Sequence, residues 1–240
     1  MILEVSQCNL KAEAELRIWA PNLSSLEISG LVCCSCLLYV PSLTTATLSF
    51  KDLSGEFGEI DREDMAPLEM FHQVFRSIRH VENVFLSDWS IQFLVDMKAN
   101  DMLVQFPNAE FLELEFYSYR VPVILAVLGM FPKLKMLIVR QYDYMYESVA
   151  SEMVSLSPSL LHLETVKIYI HDKEFSISPL VEYVLENAEV LEEMVLQPYL
   201  LLPYGEENNK EAFILDLKKL LGMWRSSPYA KLIVNEVMVE

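Results

Sequence analysis

The feature that most restricts this chain is a short figure that recurs along it. Phe106 to Phe116, FPNAEFLELEF, places Pro107, then apolar residues two, five and seven positions on: Ala109, Leu112 and Leu114. The same figure returns as Pro21, Leu23, Leu26, Ile28, as Pro41, Leu43, Ala46, Leu48, and as Pro132, Leu134, Leu137, Val139. Looser copies without the Pro are Val81, Val84, Leu86; Leu163, Val166, Ile168; Leu191, Met194, Leu196; and a last strand with Leu232 and Val234. Each apolar-x-apolar pair alternates with period two, which predicts a short strand with one face buried. No such unit can bury its apolar face alone, so the copies must stack.

The residues between each pair, Glu27, Thr47, Phe85, Glu113, Ile138, Lys167, Val195 and Ile233, fall 20, 38, 28, 25, 29, 28 and 38 residues apart. Most of these intervals lie in the roughly 20–29-residue range of leucine-rich repeats. The two longest mark insertions. The expected fold is therefore α/β, a short curved leucine-rich-repeat solenoid with parallel strands on one face and irregular helices on the other.

In chain order, Leu3 and Val5 lie on one short strand and Leu16 and Ile18 on another; with no polar cover over the first strand, the start reads as the tail of a repeat. Lys51 to Asp64, with Gly55, Gly58 and six acidic residues, reads as an exposed insertion. Asp64 is placed to cap a helix with the stripe Leu68, Phe71, Phe75, Ile78, and Ser90 to cap a shorter one with Ile91, Leu94 and Met97. A helical run covers Val121 to Met130. The loop Gln141 to Glu147 carries three tyrosines. Ser178 followed by Pro179 is the strongest helix start in the chain, and that helix is expected to run to about Asn187. The PYLLLPYGEENN loop and a helix over 210–221 lead to the final strand.

Charge and motifs narrow the function. The chain carries 18 Lys plus Arg against 35 Asp plus Glu, a formal charge of −17. Such a field repels phosphate backbones and acidic lipids, so neither nucleic acid nor membrane is an expected partner. The N-terminus has no basic start and no sustained apolar stretch, and the apolar runs are too short to span a bilayer. A soluble protein of the cytoplasm or nucleus is expected. Cys8, Cys33, Cys34 and Cys36 are too crowded for a disulfide framework, and the C-x-x-C lies among Leu31, Val32, Leu37 and Leu38, a setting for packed rather than reactive thiols. His72, His80, His162 and His171 show no metal-binding spacing, and there is no phosphate-binding loop or nucleophile elbow. No catalytic residue, metal ligand or cofactor is assigned, and no enzyme is expected.

The candidate site is the outward side of the strands, where each repeat adds one residue to each of two columns. The first column is the interval series above; the second is Ser29, Ser49, Ser87, Glu115, Arg140, Tyr169, Gln197 and Asn235. Their middle mixes apolar, aromatic and charged residues as binding surfaces do, which singles out Phe85, Glu113, Glu115, Ile138, Arg140, Lys167, Tyr169 and Val195 as partner-binding. The loop Tyr199 to Tyr204, with its leucines and tyrosines, is a second candidate.

The last third carries a resemblance. Leu160 to Gln197, LLHLETVKIYIHDKEFSISPLVEYVLENAEVLEEMVLQ, resembles the FBD module that closes many plant F-box leucine-rich-repeat proteins, most specifically in VEYVLENAEVLEEMVLQ. WRSSPYAKLIV resembles the end of such modules, and IWAPNLSSLEISG, VPSLTTATLSF and FLSDWSIQFL resemble the repeat region of the same family. The resemblance implies a repeat region over 1–157 and an FBD-type module over 158–240 that continues the solenoid. In that family an F-box binds the Skp adaptor of a cullin-based ubiquitin ligase and the repeats select the substrate. Nothing in the first twenty residues resembles an F-box, so the adaptor is not an expected partner and the recognition half is what carries over. The implied function is non-catalytic recognition of a protein target by a monomer. An F-box-less competitor for the same targets, or a small-molecule receptor in the repeat concavity, are the alternatives.

Overall fold

The computed structural model describes residues 1–6, 15–30, 35–50, 66–116, 121–141, 158–170, 178–200, 226–235 and 238–239. The chain divides into two compact units, Met1–Glu110 and Phe111–Glu240. Both are α/β with parallel strand pairing. The insertion over 51–65, the tyrosine loop over 142–147, the tip 201–204, the helix expected over 210–221, His171, and Cys8, Cys33 and Cys34 lie outside the described residues.

In the first unit the main sheet runs β1 (Ile2–Val5), β3 (Ser25–Gly30), β5 (Thr45–Phe50), β6 (Asn83–Ser87). All pairings among these strands are parallel, with Leu26 beside Ala46, Ala46 beside Val84, and Leu48 beside Leu86. The alternation read from the sequence becomes alternating burial: Leu26, Ile28, Ala46, Leu48, Val84 and Leu86 are all sealed from solvent. Gly30 ends β3 at φ 99°, a left-handed conformation that glycine adopts without steric cost. Apart from this sheet, β2 (Glu15–Trp19) and β4 (Ser35–Tyr39) form a second parallel pair.

Helix α1 (Ala66–Ile78) supplies the stripe Leu68, Phe71, Phe75, Ile78, all buried, and packs against β4 and α2 (Asp88–Ala99). Phe71 stacks on Phe93 of α2 at 3.7 Å between ring centres, and Phe50 tilts against Phe71 at 4.6 Å. Burial, and secondly the charge of Arg76, hold the His72 imidazole of α1 below its ordinary pKa.

Helix α2 starts earlier than expected. Its N-cap is Ser87, with no side-chain capping bond, and Ser90 lies inside the first turn. Ser90 is fully buried; its hydroxyl donates to the Leu48 carbonyl at 2.8 Å and accepts from the Phe50 amide at 3.4 Å. Ser90 is thus no local cap; it ties the helix to the sheet.

The second unit orders its strands β7 (Phe111–Phe116), β8 (Met136–Gln141), β9 (Thr165–Ile170), β10 (Glu193–Leu200), β11 (Lys231–Val234), with β12 (Met238–Val239) also on β10. Again every pairing is parallel. Leu112, Leu137, Val166, Met194 and Leu232 form one buried row across the sheet, and Leu114, Val139, Ile168 and Leu196 lie in the next. Helices α3 (Val121–Leu128) and α4 (Ser178–Asn187) bury Ile124, Ala126, Val127 and Leu128, and Leu180, Val181, Val184 and Leu185. Strands β8 and β9 pair across position 157, from Met136 beside Thr165 to Gln141 beside Ile170.

One kind of turn precedes β3, β5, β6, β7, β8, β9 and β10. The amide of Leu23 bonds the carbonyl of Ala20, Leu43 that of Val40, Ala109 that of Phe106 and Leu134 that of Phe131. In each case the Pro occupies the second turn position, where its fixed φ is already the one required. The copies without that Pro close the same turn, Val81 to Ile78, Leu163 to Leu160 and Leu191 to Ala188. An apolar residue three positions before the turn's end, buried in each case, is the signal they share. Successive turns are then joined: Thr45 donates to Ser24, Asn83 to Thr44, Thr165 to Lys135, Glu193 to Glu164, and Lys231 to Glu192.

Candidate functional site

The register decides which residues share the outward face. In the first unit Glu27, Thr47 and Phe85 are in one row and Ser29 pairs with Ser49 in the next. All are partly exposed, with Ser87 at the matching place on β6. In the second unit the first column is Glu113, Ile138, Lys167, Val195, Ile233. The second is Glu115, Arg140, Tyr169 and Gln197, with Asn235 following β11. The strand-face residues singled out in the sequence therefore lie where the alternation placed them, Phe85 in the first unit and the others in the second. Nothing in the fold itself assigns them a partner.

Ile138 departs from the rest. It is only 8% exposed, because β8 carries three consecutive apolar residues, Leu137, Ile138 and Val139, and Ile138 lies in register between the longer Glu113 and Lys167. It is a floor to the face and not an exposed anchor.

The charges around it are arranged. Arg140 Nε donates to Glu113 Oε1 and lies 4.0 Å from Glu115 Oε1, and its guanidinium sits 4.2 Å above the Tyr169 ring. Three strands thus contribute to one polar cluster, with the Glu113 side chain 12% exposed and that of Arg140 31%. Lys167, one strand from Arg140, has no ion-pair partner among the described residues. At the far edge, Asn235 Nδ2 donates to Gln197 Oε1 at 2.7 Å, which continues the second column as a side-chain ladder.

The first unit shows a surface that the sequence reading did not find. Trp19 is 77% exposed and stacks on Tyr39 at 4.2 Å, on the outer side of the β2–β4 pair. Leu37, also exposed, is beside Arg17. The Leu31–Val40 run has no clear alternation, so β4 gave no strand signal.

Among the described residues there is no cluster of His, Cys, Asp or Glu that could hold a metal ion. Cys36 is buried in β4. His80 Nε2 lies 3.1 Å from the Val40 carbonyl, a bond between neighbouring turns. Among the described residues, no helix is long and apolar enough to cross a membrane.

Comparison with known proteins finds three relatives from Arabidopsis thaliana. An F-box/FBD/LRR-repeat protein is 25% identical over 183 residues, 76% of this chain and 40% of that protein. F-box/LRR-repeat protein 13 is 26% identical over 217 residues, 90% of this chain and 47% of that one. An FBD-associated F-box protein is 28% identical over 187 residues, 74% and 38% respectively. The chain thus spans less than half the length of the curated relatives it matches. No protein-family model and no solved structure matches it. All three relatives bear F-box names combined with FBD or leucine-rich-repeat terms, and they support the family that the sequence resembles: this chain is similar to the plant F-box/LRR-repeat/FBD proteins.

Proposed function

We propose that the chain is a non-catalytic recognition element of the cytoplasm or nucleus, a leucine-rich-repeat array with an FBD-type end over 158–240, which binds a protein target as the substrate-selecting part of a ubiquitin ligase does. The observation that carries this reading is the second unit's outward face. Lys167 stands in register between Ile138 and Val195, beside the cluster of Arg140, Glu113, Glu115 and Tyr169. Arg140 stacked on Tyr169, beside a row that holds Ile138 and Val195, supplies the Arg and aromatic side chains that are enriched at interface cores. The three plant relatives, all named as F-box proteins, support the ligase context.

The test is affinity capture from plant extract with wild type beside a Phe85→Ala, Lys167→Glu double variant. The expected result is a protein held by wild type and lost by the variant, with circular dichroism and thermal stability of the two alike. Retention of the same proteins by both would overturn the face assignment. Recovery of the Skp adaptor would show that the chain also docks onto a ligase.

A further inference from the structure

The strand face of the second unit is asymmetric, and the asymmetry states what kind of segment fits it. On the β7 side the face presents Glu113 and Glu115, whose charges engage Arg140. On the other side of Lys167 the row continues into Val195 and Ile233, both solvent-accessible and in register on β10 and β11. No described residue pairs with the Lys167 ammonium, which stands on a chain of net charge −17 as one of the few cations that face outward from this sheet. An incoming carboxylate is repelled by Glu113 and Glu115 and drawn to Lys167.

Spacing adds a second constraint. Neighbouring strands lie roughly 4.8 Å apart, so Val195 and Ile233 stand roughly 5 and 10 Å from Lys167 along the row. In an extended peptide, residues i and i+2 project to the same side roughly 6.7 Å apart. A peptide laid across the strands with its carboxylate at Lys167 therefore brings its i+2 side chain over the gap between Val195 and Ile233.

We propose that this face takes an extended segment of a protein partner in which Asp or Glu is followed two residues on by Val, Ile or Leu, the carboxylate on Lys167 and the aliphatic side chain over Val195 and Ile233. The proposal rests on the reading of the strand face as a recognition surface and names the chemistry it selects. Tyr169, held under the Arg140 guanidinium at 4.2 Å, borders the lysine along β9. It shields one side of the new ion pair from water and so strengthens it.

The experiment is selection from a phage-displayed library of random nonapeptides by the full chain, in wild-type, Lys167→Met, Lys167→Glu and Val195→Asp forms, each checked for unchanged circular dichroism. Wild type is expected to enrich an acidic residue two positions before an aliphatic one. Lys167→Met keeps the stem and removes the charge, so the acidic preference disappears while the aliphatic one stays. Lys167→Glu weakens an enriched acidic peptide by on the order of tenfold or more, through reversal of one close charge contact. Val195→Asp removes the aliphatic preference. Enrichment without an acidic position, or an acidic preference indifferent to Lys167, overturns the proposal. Absence of any enriched peptide while the extract capture still yields a partner sensitive to the face variant also overturns it, and leaves the recognition surface standing. Failure of both experiments removes the surface and the segment together.

Discussion

In the first unit the outward rows are short and hydroxyl-rich, with Thr47 between Glu27 and Phe85, and Ser29, Ser49 and Ser87 alongside. Polar side chains at the strand entrances there bond mostly to backbone: Thr44 to the Ser24 carbonyl at 3.0 Å, Ser24 to the Met1 carbonyl at 3.0 Å, Asn83 to the Thr44 carbonyl at 3.4 Å. In the second unit the same face carries side chains that bond to one another, Arg140 to Glu113 and Asn235 to Gln197, with Arg140 over Tyr169. Both units use the same turn and the same buried alternation. The stack fixes the turn and the inward residues, since a polar group there would lose its water without compensation. The outward residues are held by no such demand, so they are where two regions of like backbone differ in chemistry.

The largest expected effect tests the inward half of that contrast. Leu114→Asp puts a carboxylate in a fully buried row of the second unit, and an uncompensated buried charge costs roughly 3–5 kcal/mol. Urea denaturation followed by circular dichroism should show this loss, against near-native stability for Lys167→Glu in the neighbouring outward row. Equal losses in the two would show that inward and outward had been exchanged.

An intermediate effect belongs to the first unit's use of hydroxyls on backbone. Ser90→Ala strips the donor from the buried Leu48 carbonyl and the acceptor from the Phe50 amide, which should cost about 1–2 kcal/mol. A denaturation midpoint unchanged from wild type would mean that the helix and sheet are joined by ring packing alone.

The smallest effect belongs to the second unit's face. A double-mutant cycle of Arg140→Ala with Glu113→Gln should give a coupling of roughly 0.5–1 kcal/mol, reduced at high salt, as for a pair whose arginine is partly in water. A coupling near zero at low salt would place the cluster's value in recognition and not in stability.

Much of this molecule was legible in its sequence because one signal served two purposes. Pro21, Pro41, Pro107 and Pro132 mark the turns, and the period-two residues after them set both register and face. Leu163 and Leu191 showed that the pattern survives without the Pro. The intervals from Glu27 to Thr47 to Phe85, and from Glu113 through Ile233, are the register that the strands adopt. What escaped had a physical reason in each case. Ser87 and Ser90 are both capping residue types, and only the tertiary bond to Leu48 separates them. Ile138 has an outward place and an inward character, which is settled by the length of its neighbours. The β4 strand, CLLY, lacks alternation, so the Trp19–Tyr39 stack was invisible until β2 and β4 were paired. The partner-binding role proposed for the face residues is a matter of chemistry between molecules, which no periodicity within one chain encodes.

The repeated turn has an evolutionary consequence. Each turn closes on itself through a hydrogen bond across four residues and passes a second bond to the turn before it, as Thr45 does to Ser24 and Asn83 to Thr44. A gene segment copied or lost between two such turns returns the same donor to the same kind of acceptor, whatever the length of chain between them. Thr45 and Asn83 satisfy equivalent bonds although the chain between them is far longer than that between Ser25 and Thr45. An array built this way changes length by whole repeats without relearning how to fold, and each added repeat brings a fresh pair of outward residues that the core leaves free to vary.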